Sequence, residues 1–281
     1  MIGLPLSSVI GAPLSGWILG AFDQVQGLRG WQWLFLLEAI PSVLLGLMAL
    51  RMLPEGPRRA DWLDVREQGQ VLRDLAVDEA QSPASGESFR QGFFNLKVWM
   101  LGGIDFAILL SAYALGFWMP TFIRNAGVTE ASSIGLLTAL PSVAAVVGML
   151  VLGASSDRFR ERRWHIILPF WVGAAAMATS TVFTDSVVAT VLLFAIAQAA
   201  ILGAVPVFFS LPATFLTGTA AATGFALACS LANIAGLVSN TLIGLALDIT
   251  GKSGSALLFF AACLALGSLL VIALPAKVVN R

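Results

Sequence analysis

The stretch GSALLFFAACLALGSLLVIALP at residues 254–275 contains no charged side chain. An α-helix rises 1.5 Å per residue, so a helix over this stretch would be about 33 Å long. The hydrocarbon core of a bilayer is about 30 Å thick, and a run of about 20 apolar residues is enough to cross it. The stretch therefore predicts a helix that spans a membrane.

The rest of the chain has the same character. Apolar residues make up 58% and charged residues 11% of the 281 residues, whereas soluble domains carry about 25% charged residues. Runs this long and uniformly apolar exclude the short alternating strands of a membrane barrel. We therefore predict an all-α membrane protein, a polytopic bundle of about eight transmembrane helices. The predicted spans are 2–21, 32–53, 96–119, 132–155, 165–183, 187–210, 220–247 and 254–275.

Charge is concentrated in one loop and on one side of the predicted membrane. Residues 54–95 are rich in Pro, Arg, Asp and Glu, and predict a solvated linker with a short helix over 62–80. When the segments between spans are assigned alternately to the two sides, thirteen Lys and Arg residues fall on one side and three on the other. Lys and Arg mark the cytoplasmic side. We therefore predict a multi-pass protein of the cell (inner) membrane, with residues 54–95 and the C-terminus in the cytoplasm.

The sequence lacks the patterns of several other function classes. Two cysteines, one histidine and no CxxC or HExxH spacing argue against a metal site. No cluster of nucleophile, base and metal ligands is visible, so we expect neither an enzyme nor a cofactor. A net charge of zero gives no reason to expect a nucleic-acid partner. The lipid bilayer is the partner that the composition predicts.

The loop between the fourth and fifth predicted spans reads Gly153-Ala-Ser-Ser-Asp157-Arg158-Phe-Arg160-Glu-Arg162-Arg163. It resembles the cytoplasmic loop signature G-x-x-x-D-R-x-x-x-R-R of the major facilitator superfamily. Glycine permits close helix approach, the aspartate can pair with arginine or cap a helix, and the basic residues hold the loop in the cytoplasm. The resemblance implies a cytoplasmic gating loop formed by Gly153, Asp157, Arg158, Arg162 and Arg163. The alternative is an ordinary basic loop.

Longer matches cover essentially the whole chain. Residues 30–41, 118–124 and 211–222 are similar to the anion:cation symporter branch of that superfamily. The resemblance implies a secondary active transporter that moves a small organic anion, such as a sugar acid or an aromatic carboxylate. A coupling cation, either a proton or Na⁺, would move with it while two helix bundles rock around a site near the bilayer midplane.

The register of the match predicts which part of such a transporter the chain contains. Residues 3–16 are similar to the glycine–proline motif in the fifth of twelve helices, although Ala12 stands where that motif usually has glycine. We therefore expect a partial fold that lacks the first four helices. Residues 1–53 would form the last two helices of the N-terminal bundle, 54–95 the cytoplasmic inter-bundle linker and 96–281 the C-terminal six-helix bundle.

Four residues in the predicted spans are expected to bind substrate: Tyr113, Trp118, Phe209 and Asn233. The resembling transporters break or bend the helix near Pro120 at the cavity, and Tyr113 combines an apolar ring with a hydroxyl that suits an organic acid. Trp118 equally suits the aromatic belt at the membrane surface. Asn233 could donate to a carboxylate or join helices with the help of nearby glycines. Asn240 is assigned to packing.

Charged residues in lipid cost roughly 2.5–3.5 kcal/mol each on insertion scales, so each one needs an explanation. Asp105 is the ion-coupling candidate, although it lies close enough to a membrane boundary that it could simply meet water. Glu38 is expected to make a structural hydrogen bond. His165 is expected to be a solvated loop residue.

The chain is not expected to transport alone. In the resembling transporters the cationic substrate anchor and the proton-binding acids lie mainly in the first and fourth helices, which are among those expected to be missing. No convincing Arg or Lys lies inside the spans of this sequence. The missing N-terminal helices are therefore needed for a complete transport path. The alternative function is that of a non-transporting membrane subunit or a decayed, truncated transporter.

Overall fold

The computed structural model describes residues 1–81, 93–211, 218–251 and 254–275. This part of the chain contains nine α-helices and no β-strand, which confirms the prediction of an all-α fold. The helices are α1 (Gly3–Ala21), α2 (Gly30–Met52), α3 (Val65–Gln81), α4 (Leu96–Asn125), α5 (Ala131–Phe159), α6 (Trp164–Ser180), α7 (Val187–Phe209), α8 (Gly218–Thr250) and α9 (Gly254–Ala273).

Seven of the described helices are long and apolar enough to cross a membrane, namely α1, α2, α4, α5, α7, α8 and α9. The remaining predicted span corresponds to α6, which is apolar but has only 17 residues. A helix of that length rises about 26 Å, at the lower end of what spans a bilayer. The polar helix α3 lies in the segment where the sequence predicted a short linker helix.

The chain divides into two compact units, Met1–Trp17 with Glu87–Arg281 (the first unit) and Ile18–Gly86 (the second unit). In the first unit α4 packs against α7, α8 and α9, while α7 also packs against α5 and α6. Its core is built around the buried rings of Phe170, Phe194, Phe208 and Phe260. Large apolar side chains such as Phe117, Leu237 and Leu266 are exposed on its surface. Apolar exposure on this scale suits lipid, not water.

Two glycines bring α1 and α5 of the first unit into backbone contact. A Cβ atom on Gly135 would lie 2.4 Å from the carbonyl oxygen of Ala12, and one on Gly16 would lie 2.6 Å from that of Ala131. Each helix therefore contributes two small residues spaced four apart to the crossing. Lipid provides no hydrophobic force between helices, so this close van der Waals packing is what holds them together.

In the second unit, the start of α3 is fixed by two acidic residues. Asp64 Oδ1 accepts a hydrogen bond from the backbone N–H of Glu67 at 2.8 Å, and Glu67 Oε2 accepts from the backbone N–H of Asp64 at 3.0 Å. This reciprocal pair is a capping box. The long apolar helix α2, all of which the structure describes, buries only Gly30, and Glu38 is exposed on it.

Helix α4 differs from the expectation drawn from the resemblance. It continues without a break through Pro120 to Asn125, six residues beyond the predicted end of the span at 119, so the helix is not broken at this proline. A bend there stays a prediction. A proline ring normally clashes with the carbonyl group four residues earlier. Here that residue is Gly116, and the α-helix nevertheless continues through both residues.

Replacing Gly135 by alanine should lower the midpoint of thermal unfolding of the detergent-solubilised chain. The added methyl group meets the Ala12 carbonyl, a backbone group that cannot turn aside, and overpacking of this kind costs about 1–3 kcal/mol. Gly11→Ala on α1 is the matched control, because no described atom lies within 4 Å of a Cβ there. Alanine favours a helix over glycine by about 1 kcal/mol, and Gly11→Ala shows this effect without the added contact. An unchanged midpoint of thermal unfolding for Gly135→Ala would contradict the close backbone contact between α1 and α5 at Gly135.

Candidate functional site

Polar side chains line the contact between α4 and α8. Gly102 lies beside Ala228, Tyr113 bonds to Asn233 and Trp118 bonds to Asn240. Residue numbers therefore increase in the same direction along both helices, which run parallel. We define the α4–α8 seam as Asp105, Tyr113 and Trp118 of α4 with Cys229, Asn233, Gly236 and Asn240 of α8. From Asp105 to Trp118 the seam extends about 20 Å along α4, which is most of the depth of a bilayer core.

The four α8 residues of the seam share one helix face. Their spacings of four, three and four residues repeat along one side of an α-helix. Both asparagines bond back to their own helix: Asn233 Nδ2 donates to the Cys229 carbonyl at 2.8 Å and Asn240 Nδ2 to the Gly236 carbonyl at 2.9 Å. The amide oxygen of each asparagine is left to accept a hydrogen bond from α4.

Tyr113 and Asn233 are joined across the seam. The Tyr113 hydroxyl donates to Asn233 Oδ1 at 3.3 Å. Its ring lies against Gly236, where a Cβ atom would be 3.2 Å from two ring carbons. The Phe117 ring stacks with it, at a centroid distance of 6.0 Å and an interplanar angle of 24°. The structure thus brings together two of the four residues that the sequence nominated for substrate binding.

Trp118 is bonded to α8 as well. Its indole N–H donates to Asn240 Oδ1 at 2.9 Å. This is a bond between helices, as the packing interpretation of Asn240 expects. The bond holds Trp118 against α8, so its indole N–H does not bond to groups at the membrane surface.

Phe209, the last residue of α7, lies against a different part of α8. Its ring centroid is 5.7 Å from that of Phe225 and 5.4 Å from that of the adjacent Phe208. Phe225 precedes Asn233 by eight residues, or about 12 Å of helix. Phe209 therefore marks one end of the α8 face and Trp118 the other.

Asp105 is buried between the helices, with 2% of its surface exposed. It does not meet water at the end of the helix, as one interpretation of the sequence held. Its Oδ1 has no hydrogen-bond partner among the described residues, and the same holds for the buried Ser111 Oγ and Gln198 Oε1. The Cys229 thiol of α8 lies close enough to the Asp105 carboxyl group for the two groups to interact electrostatically.

The loop that resembles the family signature forms a tight turn after α5. Arg160 adopts a left-handed conformation (φ 51°, ψ 36°), and the N–H of Glu161 donates to the Ser156 carbonyl at 3.2 Å. Glycine usually occupies such a helix-ending position. Asp157 and Arg158 are exposed at this turn.

One arginine of this loop reaches across to α9. The Arg163 guanidinium donates to the carbonyl of Ile272, in the last turn of α9, where the helix dipole favours a cation. The bond places the α5–α6 loop and the end of α9 at the same end of the first unit, as the charge pattern predicts. Arg162, the residue before Arg163, is half-buried. No described atom lies within 4 Å of a Cβ built on Gly153, so the close helix approach expected there is absent from the described part of the chain.

His165 is a structural residue that sequence reasoning missed. Its side chain is only 17% exposed, so the expectation of a solvated loop residue is wrong. Nδ1 lies 2.9 Å from Glu161 Oε2, Nε2 lies 2.9 Å from Ser155 Oγ, and the ring stacks with Phe159 at 6.5 Å. The one available signal was the four-residue spacing of Glu161 and His165. Through these bonds His165 joins the end of α5 to the start of α6.

Other acidic groups give no sign of a metal centre. In the part of the chain that the structure describes, no group of three or more His, Cys, Asp or Glu is placed to hold a metal ion. Glu130, just before α5, accepts hydrogen bonds from the hydroxyls of Ser132 and Ser133, and these bonds lower the pKa of its carboxyl group. The carboxylate lies at the N-terminal end of α5, where the helix dipole favours a negative charge.

Comparison with protein families gives a match over most of the chain. Residues 1–239 match the family model described as Major Facilitator Superfamily. The chain is 70% identical over 281 residues to a Pseudomonas putida protein named for metabolite transport, NicT. It is 33% identical over 274 residues to an Agrobacterium vitis protein named as a tartrate transporter. These matches include 100% and 98% of this chain, which spans only 64% and 60% of the lengths of the two relatives.

Comparison of folds points the same way. A crystal structure of the Escherichia coli fucose:proton symporter FucP superposes with a TM-score of 0.59, covering 97% of this chain and 82% of that one. Sequence identity is 16%, so the likeness concerns the fold alone.

A double-mutant cycle on Trp118→Phe and Asn240→Leu should show favourable coupling in unfolding free energy. Hydrogen bonds between membrane helices contribute about 0.6 kcal/mol on average and up to about 1.7 kcal/mol. We expect the Trp118–Asn240 pair, at 2.9 Å, to exceed the Tyr113–Asn233 pair, at 3.3 Å. The control cycle combines Tyr113→Phe with Asn240→Leu, which share no hydrogen bond. Equal coupling energies in the Trp118–Asn240, Tyr113–Asn233 and control cycles would show that the two hydrogen bonds across the seam do not stabilise the fold.

Replacing His165 by phenylalanine should loosen the α5–α6 connection. The substitution keeps a ring beside Phe159 but removes the imidazole that bonds Ser155 and Glu161, a loss of about 1–3 kcal/mol. Glu161 still accepts a hydrogen bond from the backbone N–H of Trp164. Amide hydrogen exchange over residues 155–168 should become faster. Arg158→Ala, at an exposed position of the same loop, is the control and should leave exchange unchanged. Equal exchange in His165→Phe and the unmutated chain would show that the His165 bonds do not stabilise this region.

Proposed function

The chain belongs to the major facilitator superfamily, and on this premise we propose that it is part of a secondary active transporter. The proposed cargo is a small organic anion, such as a sugar acid or an aromatic carboxylate, carried by symport with a cation. In this proposal residues 1–53 belong to the N-terminal bundle, 54–95 link the bundles and 96–281 form the C-terminal bundle. The protein lies in the cell (inner) membrane, with residues 54–95 and the C-terminus in the cytoplasm.

Exposed polar groups halfway along α8 carry the proposal. Ser230 and Asn233 are both exposed, 12 and 15 residues after the first residue of this 33-residue helix. An amide that faces hydrocarbon without a full set of partners costs about 2–7 kcal/mol. Polar residues in a spanning helix therefore face a water-filled cavity or another polar surface. A transport path supplies such a cavity.

The Tyr113–Asn233 pair offers suitable donors for a carboxylate. Asn233 Nδ2 carries two N–H bonds, and one of them is used by the Cys229 carbonyl. The other is available to a ligand. The Tyr113 hydroxyl is held by a long bond of 3.3 Å, and a charged acceptor forms a bond roughly twice as strong as a neutral one. A bound anion can therefore take the hydroxyl from Asn233.

The aromatic residues near this pair suit the carbon skeleton of an organic acid. Tyr113 and Phe117 form a stacked apolar surface beside the donors. Trp118 and Phe209 bound the same stretch of α8 on either side. The tartrate named for one relative is a small dicarboxylate, which supports the class of cargo.

The remaining parts of the proposal concern coupling and gating. Asp105 is the proposed ion-coupling residue, since it is the one buried carboxyl group of the described spans. Gly153, Asp157, Arg158, Arg162 and Arg163 form the proposed cytoplasmic gating loop. Arg163 connects this loop to the end of α9. Rocking of the two bundles around a midplane site would expose the seam to each side in turn.

The charge of the anion has to be met partly by residues outside this chain. Lys97 and Arg124 lie at the two ends of α4, and no Lys or Arg lies at mid-depth in a described spanning helix. We therefore propose that the chain does not transport alone. The part of the longer relatives that this chain does not span would complete the path.

Uptake of tartrate, gluconate and benzoate into proteoliposomes tests the proposed function. We expect no uptake by the chain alone, and uptake when the chain follows the N-terminal part of the Pseudomonas putida relative. Asn233→Ala should reduce that uptake roughly 10–100-fold, because a donor to a charged ligand is lost. Asn125→Ala, at the exposed end of α4, is the matched control and should have no effect.

Two outcomes would contradict parts of this proposal. Robust, coupled uptake by the chain alone would show that the N-terminal helices are not needed. Absence of uptake by both proteins would favour the alternative of a non-transporting membrane subunit or a decayed transporter.

A further inference from the structure

Helix α3 is polar on average, yet its large apolar side chains share one face. Leu75 and Ala76 follow Leu72 by three and four residues, and Val65 precedes Leu72 by seven, so all four lie on one side of the helix. Val71 lies at the edge of this side, four residues before Leu75. We define the α3 apolar face as Val65, Val71, Leu72, Leu75 and Ala76.

The opposite side of α3 carries polar and charged residues. Arg66, Gln70, Arg73 and Asp74 lie there, and all four are exposed. Val77 also belongs to this side, because it follows Gln70 by seven residues and Arg73 by four. The helix is therefore amphipathic, and Val77 is a valine outside the α3 apolar face.

The α3 apolar face is largely exposed. Val65 is 87% exposed and Leu75 is 52% exposed. Within the second unit α3 packs against the short segment Pro57–Arg59, which leaves these side chains open. Each square ångström of apolar surface removed from water stabilises a protein by about 25 cal/mol. The face therefore has a strong tendency to bind another apolar surface.

A folded turn holds Trp62 beside the start of α3. The backbone N–H of Leu63 donates to the Ala60 carbonyl at 3.0 Å. Gln68 Nε2 donates to the carbonyls of Ala60 and Leu63, at 3.2 and 3.3 Å, and so binds this turn to α3. Ala60 is buried, whereas Trp62 is 74% exposed. Tryptophan is enriched where membrane meets water, because its ring is apolar and its N–H is polar.

The chain keeps α3 within reach of the membrane surface. The spanning helix α2 ends at Met52, and residues 53–64 connect it to α3. A segment of this length reaches at most about 40 Å when fully extended, and here part of it is folded into the turn at Pro57–Arg59. In the sequence, only residues 82–95 separate α3 from the next spanning helix. Such tethering raises the effective concentration of the lipid surface, so a modest affinity is enough for binding.

The charge of this segment indicates which surface it fits. Residues 53–81 contain four arginines and seven aspartates or glutamates. Anionic lipids attract basic segments, and they would repel this acidic one. A second copy of α3 would bring a like charge to the contact, which also disfavours pairing. The segment therefore fits a lipid surface without net charge, such as phosphatidylethanolamine or phosphatidylcholine, to which apolar burial holds it.

We propose that α3 and Trp62 lie on the membrane surface, with the α3 apolar face in contact with lipids that carry no net charge. The helix would lie along the surface for about 25 Å, with its apolar side chains about 5–10 Å below the headgroups. The expectation of a solvated linker would then hold for the charged side of α3 only. This inference goes beyond the proposed function, because it depends on neither the cargo nor the coupling ion.

Fluorescence quenching of the purified chain in phosphatidylcholine nanodiscs tests this contact. A fluorescent label is attached at Leu75→Cys or, as the matched control on the charged side, at Gln70→Cys, with Cys229 and Cys263 replaced by serine. A quencher attached to lipid acyl chains should quench the label at 75 and not at 70, and aqueous iodide should do the reverse.

Two quenching results would overturn the proposal. Equal quenching of both labels by iodide would show that the α3 apolar face meets water. Protection of the label at 75 from both quenchers would show that protein covers the face, either another part of this chain or a second copy.

The rate at which a maleimide labels Leu75→Cys in the same nanodiscs measures how often α3 leaves the lipid. Val71→Asn removes an apolar side chain from the α3 apolar face, so labelling should become about tenfold faster. Val77→Asn makes the same change on the charged side and should leave the rate unchanged. Valine and asparagine have similar helix propensities, so both variants keep the helix.

Equal labelling rates with and without Val71→Asn would overturn the proposal. Adding anionic phosphatidylglycerol to the nanodiscs should not slow the labelling, because the segment is acidic. Slower labelling would show that the arginines, and not the apolar face, hold α3 to the membrane, and would overturn the choice of an uncharged lipid surface.

Discussion

Hydrocarbon offers no hydrogen bonds, and this constraint determines how each polar group of the chain is placed. Backbone groups are satisfied within helices, which is why the described chain is all-α. Several hydroxyl groups inside the spans bond to carbonyls of the preceding turn, as Thr138 does to Ile134 and Ser268 to Ala265. Asn233 and Asn240 do the same with one amide N–H each. Polar residues are thus made compatible with lipid before any contact between helices forms.

The constraint is not met at a few groups. The buried Ser111 Oγ and Gln198 Oε1 lack a hydrogen-bond partner among the described residues, and two further groups lie in the α4–α8 seam. The second N–H of Asn233 and the Oδ1 of Asp105 both belong to the α4–α8 seam, and both are available for a ligand or a proton. Elsewhere, close packing replaces hydrogen bonding. Gly16 and Gly135 let α1 and α5 touch through their backbones, and Gly236 makes room for the Tyr113 ring. Small residues and shared hydrogen bonds together hold helices in a solvent that does not push them together.

The sequence predicted those features that depend on local chemistry. Length and hydropathy predicted the helix bounds to within six residues, and charge placed the α5–α6 loop and the end of α9 on one side, where Arg163 and Ile272 meet. The pairing of Tyr113 with Asn233 could not be derived, because residues 120 positions apart meet only through helix packing. The burial of Asp105 depends on α8 in the same way. The continuity of α4 through Pro120 was not predicted from the sequence, and the role of His165 depends on a serine from the preceding helix.

Cysteine accessibility on α8 gives the most direct measurement of whether the seam faces an aqueous path. The test uses the chain placed after the N-terminal part of the Pseudomonas putida relative, with Cys229 and Cys263 replaced by serine. Ser230→Cys or Asn233→Cys is introduced into this protein, and membranes that contain it are treated with an impermeant maleimide. Ala232→Cys, at a buried position, and Leu266→Cys, on the apolar surface, serve as controls. We expect reaction at 230 and 233 and none at 232 or 266. Protection of 230 and 233 to the level of 266 would show that this face of α8 meets lipid, and would contradict the assignment of the seam to a transport path.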